Sequence, residues 1–156
     1  TDTVRAAAVQ IAPDLSGRAG TMQRVLNAVT DASDKGAELI VFPETFVPYY
    51  PYFSFVLPPV QQGAPHLKLY EEAVVVPSAE TAAAADVARR RGILVVLGAN
   101  ECDHGSLHTT QLVFDAARTL VLQRRHISPT FPLRSISPYC DASLLAVART
   151  LLAHTC

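Results

Sequence analysis

The chain has 156 residues, 49% hydrophobic and 17% charged, with a formal net charge of −1. That length suits one domain with its own core, and the apolar content excludes intrinsic disorder. The mixed charge offers nothing to nucleic acid or an anionic membrane, and no apolar run is long enough to span a bilayer, so neither partner is expected.

Thr1-Asp2-Thr3 does not read as the start of a signal peptide. Cys102, Cys140 and Cys156 have no metal-ligand spacing, so a cytoplasmic setting without a metal is expected. Arg89-Arg90-Arg91 falls at the end of a predicted helix, where it complements the helix dipole.

Val4 to Ile11 is a small, apolar run that reads as a buried strand. Met22, Val25, Leu26, Val29 and Ala32 then recur at helical spacing, predicting an amphipathic helix from about Gly20 to Lys35 with Gly36 placed to end it. Ala37 to Phe42 is a second, continuously apolar strand. Such strands separated by helices argue for a helix-covered sheet.

Pro43 to Pro65 is too dense in proline for a strand or helix interior and predicts a long ordered loop, a common home of function. His66 to Val75 reads as a short helix. Ser78 can cap a helix running to about Arg91, with Glu80 in its first turn and Gly92 at its end. Ile93 to Ala99 is a third buried strand. Thr110–Ala116 and Thr119–Arg124 predict a hairpin, although Ala117-Arg118 between them lacks the residues that favour positive φ. Leu144 to Ala153 reads as a candidate helix with little polar face.

Within Phe42-Pro43-Glu44-Thr45, a carboxylate directly follows an apolar strand. Ligand sites in helix-covered sheets gather at the carboxyl ends of strands. A carboxylate there loses solvation, which suits a general base. The structural alternative is a loop glutamate that caps a neighbouring backbone.

The stretch from Val41 to Phe53, with its Pro48-Tyr49-Tyr50-Pro51-Tyr52-Phe53 run, resembles the catalytic-glutamate motif of the nitrilase family of carbon–nitrogen hydrolases. Ala6 to Gln10 resembles that family's first strand, and Gly98-Ala99-Asn100-Glu101 through Gly105-Ser106-Leu107 and Thr110 to Asp115 its middle strands. Arg124 to Thr130 resembles its lysine segment. The likeness runs from about residue 4 to 130.

This resemblance implies an α/β fold, an αββα sandwich incomplete at the C-terminal side, with a family domain over residues 1–130 and a divergent tail over 131–156. It also implies a cysteine, glutamate and lysine triad that converts a small-molecule nitrile to a carboxylic acid and ammonia, without cofactor, in a homo-oligomer. Glu44 carries over as the catalytic glutamate. His126 stands where the family has its lysine, and is the second candidate site residue. No cysteine here precedes the Trp-Glu that marks the family's nucleophile, and Phe131 to Ser135 replaces a segment that carries a further glutamate in relatives. The expectation is a nitrilase-like chain inactive by itself, altered by a frame change near Phe131; the alternative is a non-catalytic family member that associates with other subunits.

Overall fold

The structure, a computed structural model, describes residues 3–117, 120–128, 133–140, 148–149 and 154–155. Five strands form one mixed sheet in simple chain order: β1 (Ala6–Ala8), β2 (Leu39–Val41), β3 (Leu94–Asp103), β4 (Ser106–Phe114) and β5 (Leu122–Arg125). β1, β2 and β3 are mutually parallel, and β4 and β5 continue antiparallel. Parallel neighbours need a crossover. Helix α1 (Arg18–Asp34) supplies the first, and the segment ending in α4 (Ala79–Arg91) supplies the second.

α1 and α4 pack on one face of the sheet. Val25, Val29, Ala84 and Ala88 from the helices meet Ile40, Val95, Leu97 and Phe114 from the strands in the main core. The helix predicted from Gly20 starts slightly earlier, at Arg18, and Gly36 closes it at φ 79°. In α4 the Ser78 hydroxyl accepts from the Thr81 backbone N–H while the Thr81 hydroxyl accepts from the Ser78 N–H, a reciprocal cap. Gly92 ends it in the left-handed region, and Glu80 and Arg89–Arg91 sit at the dipole ends that suit their charges.

Four expectations need correction. The first strand is short and lies at the sheet edge, with Val4 and Ile11 both more than two-fifths exposed; an apolar run does not by itself distinguish an edge from a centre. The third strand does not stop at Ala99. It runs to Asp103 and turns through His104 (φ 45°) and Gly105 (φ 84°) into β4, a two-residue loop with both central φ positive, as the twist of a hairpin favours. The second hairpin pairs from Leu122 onward and Asp115 Oδ1 accepts the Ala117 N–H at 3.0 Å, while Arg118 of the predicted turn and Thr119 lie outside the described residues. Lastly, Ala148–Arg149 (β6) pairs antiparallel with His154–Thr155 (β7), so these residues are not helical; the rest of the predicted Leu144–Ala153 helix lies outside the described residues.

The proline-rich loop carries a one-turn helix α2 (Phe53–Val56) and a 3-10 turn (Pro59–Gln61), followed by α3 (Gly63–Glu72). Tyr49 from this loop packs with Leu69, Ala73, Leu107 and Ile136 in a second, smaller core.

Candidate active site

Glu44 is thrown out of the sheet by a break in the β2–β3 ladder. The Phe42 N–H donates to the Val96 carbonyl at 2.9 Å, and the next parallel bond to Gly98 would ordinarily come from Glu44. It comes instead from Val47, at 3.1 Å, and the Asn100 N–H returns to the Val47 carbonyl at 2.7 Å. The intervening chain loops over Gly98. A Cβ on Gly98 would stand 2.1 Å from the Pro43 carbonyl oxygen, 2.8 Å from the Thr45 nitrogen and 2.9 Å from the Glu44 Cα. Thr45 is held at φ 48°, fully buried, and its hydroxyl has no hydrogen-bond partner among the described residues. Backbone strain of this kind in a β-branched residue persists only where the surroundings impose it.

His126 follows the last residue of β5, and its N–H donates to the Thr109 carbonyl at 2.8 Å, extending the ladder by one step. That step brings its Nδ1 to 3.4 Å from Glu44 Oε1. The contact is an ion-pair distance for a protonated imidazole and too long for a strong hydrogen bond. The two sequence candidates therefore meet. Their side chains remain 48% (Glu44) and 44% (His126) exposed, so Glu44 is less dried than its position at a strand end suggests. The reason is an open cavity of about 350 Å³ beside them, lined by Phe42, Glu44, Gly98, Gln111, Arg124 and His126 among others.

A second cavity of about 370 Å³ adjoins the other side of Glu44, walled by Phe46, Tyr49, Tyr50 and Tyr52 of the aromatic loop. Burial, and then the neighbouring Glu44 carboxylate, push the Tyr50 phenol above its ordinary pKa, so it stays protonated and can donate. Asn100 Nδ2 donates to the Tyr49 carbonyl at 3.0 Å and ties this loop to β3.

Behind His126 lies a buried polar clamp that the sequence reading did not identify. Glu101 on β3 is 1% exposed. It accepts from Thr110 Oγ1 and Gln123 Nε2, both at 2.7 Å, and from Arg125 Nε at 3.1 Å and Nη2. Arg125 Nη2 also donates to Asp103 Oδ2 at 2.7 Å. Burial alone would raise the Glu101 pKa, but the Arg125, Thr110 and Gln123 hydrogen bonds outweigh it and hold the carboxyl below its usual range. Arg125 is pushed up by its bonds to Glu101, so its charge is secure. The available signal was the acidic pair Glu101 and Asp103 at the polar end of β3 and the basic Arg125 on β5, two strands away in the sheet.

No cysteine among the described residues lines the cavity. Cys102 packs beside the Tyr49–Leu69 core. Cys140 Sγ lies 3.0 Å from His108 Nδ1, and its N–H donates to the Ile127 carbonyl. Cys156 lies outside the described residues. Among them there is also no grouping of three or more acidic, histidine or cysteine side chains able to hold a metal ion, and no helix long and apolar enough to cross a membrane.

The mixed α/β sheet thus brings a carboxylate and an imidazole together at its strand ends. Residues 5–149 match the family "Carbon-nitrogen hydrolase", and the chain belongs to that family. The match continues past residue 130, where the likeness to the motifs ends. A nitrilase of Paraburkholderia phymatum is 60% identical over 97% of this chain and 44% of its own length. An aliphatic nitrilase of Rhodococcus rhodochrous is 38% identical over 87% of this chain and 37% of its own. The chain thus spans less than half the length of these curated relatives. Among solved structures, a carbon–nitrogen hydrolase from Helicobacter pylori G27 superposes with a TM-score of 0.69 at 19% identity, covering 96% of this chain and 48% of the other. Nit3 of Saccharomyces cerevisiae, a member of the nitrilase superfamily, does so with 0.68 at 16%, covering 97% and 53%. At those identities the likeness concerns the fold, which is the one the motifs predicted.

Proposed function

We propose that the cavity between Glu44 and His126 is a nitrile-binding site of nitrilase type, serving conversion of a nitrile to a carboxylic acid and ammonia. The observation that carries this reading is the 3.4 Å approach of His126 Nδ1 to Glu44 Oε1 at the mouth of the cavity. Glu44 is the general base: it takes the proton of an attacking thiol and later that of water. His126 occupies the lysine's place and donates to the nitrogen on which charge develops, as a preorganised donor should. Neither Cys102 nor Cys140 lines the cavity, and with no tryptophan in the sequence no cysteine precedes the family's Trp-Glu, so this reading expects no ammonia release from the chain by itself. A thiol reaching the cavity from another subunit or segment would complete the triad.

The test follows the His126 ring by NMR during titration with small aliphatic and aromatic nitriles, alongside an ammonia assay. The reading expects nitriles to shift the His126 ring resonances, Glu44→Gln to weaken that response, and ammonia to stay at background. Ring resonances that ignore nitriles, or ammonia release that survives Glu44→Gln, overturn the assignment.

A second reading, a non-catalytic family member that associates with other copies, is favoured by the exposure of Phe55 (57%), Val56 (75%) and Val60 (92%) on one short stretch. Clustered apolar exposure of this kind commonly marks an interaction surface. The homo-oligomer and the cytoplasmic setting belong to both readings.

A further inference from the structure

One charged side chain lining the cavity has no partner among the described residues. Arg124 of β5 is partly buried and lines the cavity, yet among the described residues its guanidinium makes no hydrogen bond or ion pair. Its neighbour Arg125 is held by two carboxylates on the opposite face. Arg124 pairs with Gln111 on β4, and Gln111 pairs with Gly98 on β3. Directly paired residues share a face, so Gly98, Gln111 and Arg124 form one row across three strands. The Glu44 loop crosses over the Gly98 end of that row. Two strand spacings, about 10 Å, separate the backbones at its two ends. Gln111 between them is exposed, leaving the span open.

A guanidinium facing a cavity matches a carboxylate in a two-point, planar fit. At the other end, the Glu44 carboxylate repels an anion, and the His126 ring offers a hydrogen bond to a neutral nitrogen. The two ends thus impose one orientation on a ligand that carries both groups. We propose that Arg124 is a carboxylate-recognition residue and that the site takes short ω-cyanocarboxylates, acid end on Arg124 and nitrile end at Glu44 and His126. The nitrile half of this inference rests on the reading of the site above; the carboxylate half does not.

The two are separable with three probes on the whole chain, measured by calorimetry or NMR titration: β-cyanopropionate, its methyl ester, and propionate. A charged hydrogen-bonded contact is worth about 1.5–3 kcal/mol, roughly ten- to a hundredfold in affinity. β-Cyanopropionate should therefore bind at least about tenfold more tightly than the ester, and Arg124→Gln should abolish that preference while changing ester affinity little. Arg124→Lys, which keeps the charge but not the fork, should restore part of it. Acid and ester binding alike, or a preference that survives Arg124→Gln, overturns the proposal. Propionate binding as tightly as β-cyanopropionate, in an Arg124-dependent way, supports the carboxylate site and counts against the nitrile reading alone.

Discussion

Glu44 Cα lies where a side chain on Gly98 would begin: a Cβ there would stand 2.9 Å from it. The carboxylate is presented because β3 has no side chain at the point where the looped chain crosses it. Gly98→Ala should therefore push the loop away, since the nearest atoms are backbone and have little room to give. Overpacking of this kind costs typically 1–3 kcal/mol. We expect a lower urea midpoint and a displaced His126 resonance in the same variant; an unchanged His126 environment would mean that Gly98 does not position Glu44.

Thr45 contributes an avoidable cost. Its hydroxyl is fully buried without a partner among the described residues, and such a group costs about 1–3 kcal/mol. Thr45→Val keeps the shape and the β-branch and removes only the polar atom. Stability should rise by about 1 kcal/mol in chemical denaturation. A loss of similar size would show that the hydroxyl is engaged in solution.

Glu101 and Arg125 set a pH dependence. The Glu101 carboxyl is held below its usual range when folded, so its contribution is complete above the unfolded value of about 4.3 and is lost as pH falls through the lower folded value. His108 acts at milder acidity. Burial, then Arg125, lower its pKa, so the unfolded chain takes up the proton first and stability declines as pH drops below about 6.5. Urea midpoints across pH should fall in these two windows. Glu101→Gln should lower stability at neutral pH by about 3 kcal/mol, because Arg125 loses its main buried partner, and should flatten the lower window. An unaltered acid limb would contradict this assignment.

The exposed stretch around Phe55, Val56 and Val60 predicts association. Light scattering should report a species larger than one chain, and replacing all three with serine should reduce it. A clean monomer at the outset would remove the basis for an oligomer.

Much of this was legible in the residues. Ser78 and Gly92 announce the ends of α4 because capping and left-handed closure are local chemistry. The apolar spacing of Met22 to Ala32 announces α1. Glu44 and His126 could be named from their motifs, but their contact could not, because it depends on where the β2–β3 ladder breaks and on how far β5 extends. The His104-Gly105 turn has a glycine to mark it, but the apolar run that signals β3 ends at Ala99, before the polar Asn100 and Glu101. They are tolerable there only because Arg125, Thr110, Gln123 and Tyr49 satisfy them from distant positions. The clamp behind His126 is likewise a product of strand register, which no single segment encodes.

The central claim is tested most directly by a crystal structure of the chain soaked with a small nitrile. The account predicts the ligand in the cavity over Gly98, with its cyano group against the Glu44 carboxylate and the His126 ring. A ligand bound elsewhere, or a Glu44 side chain turned away from His126 into solvent, would contradict it.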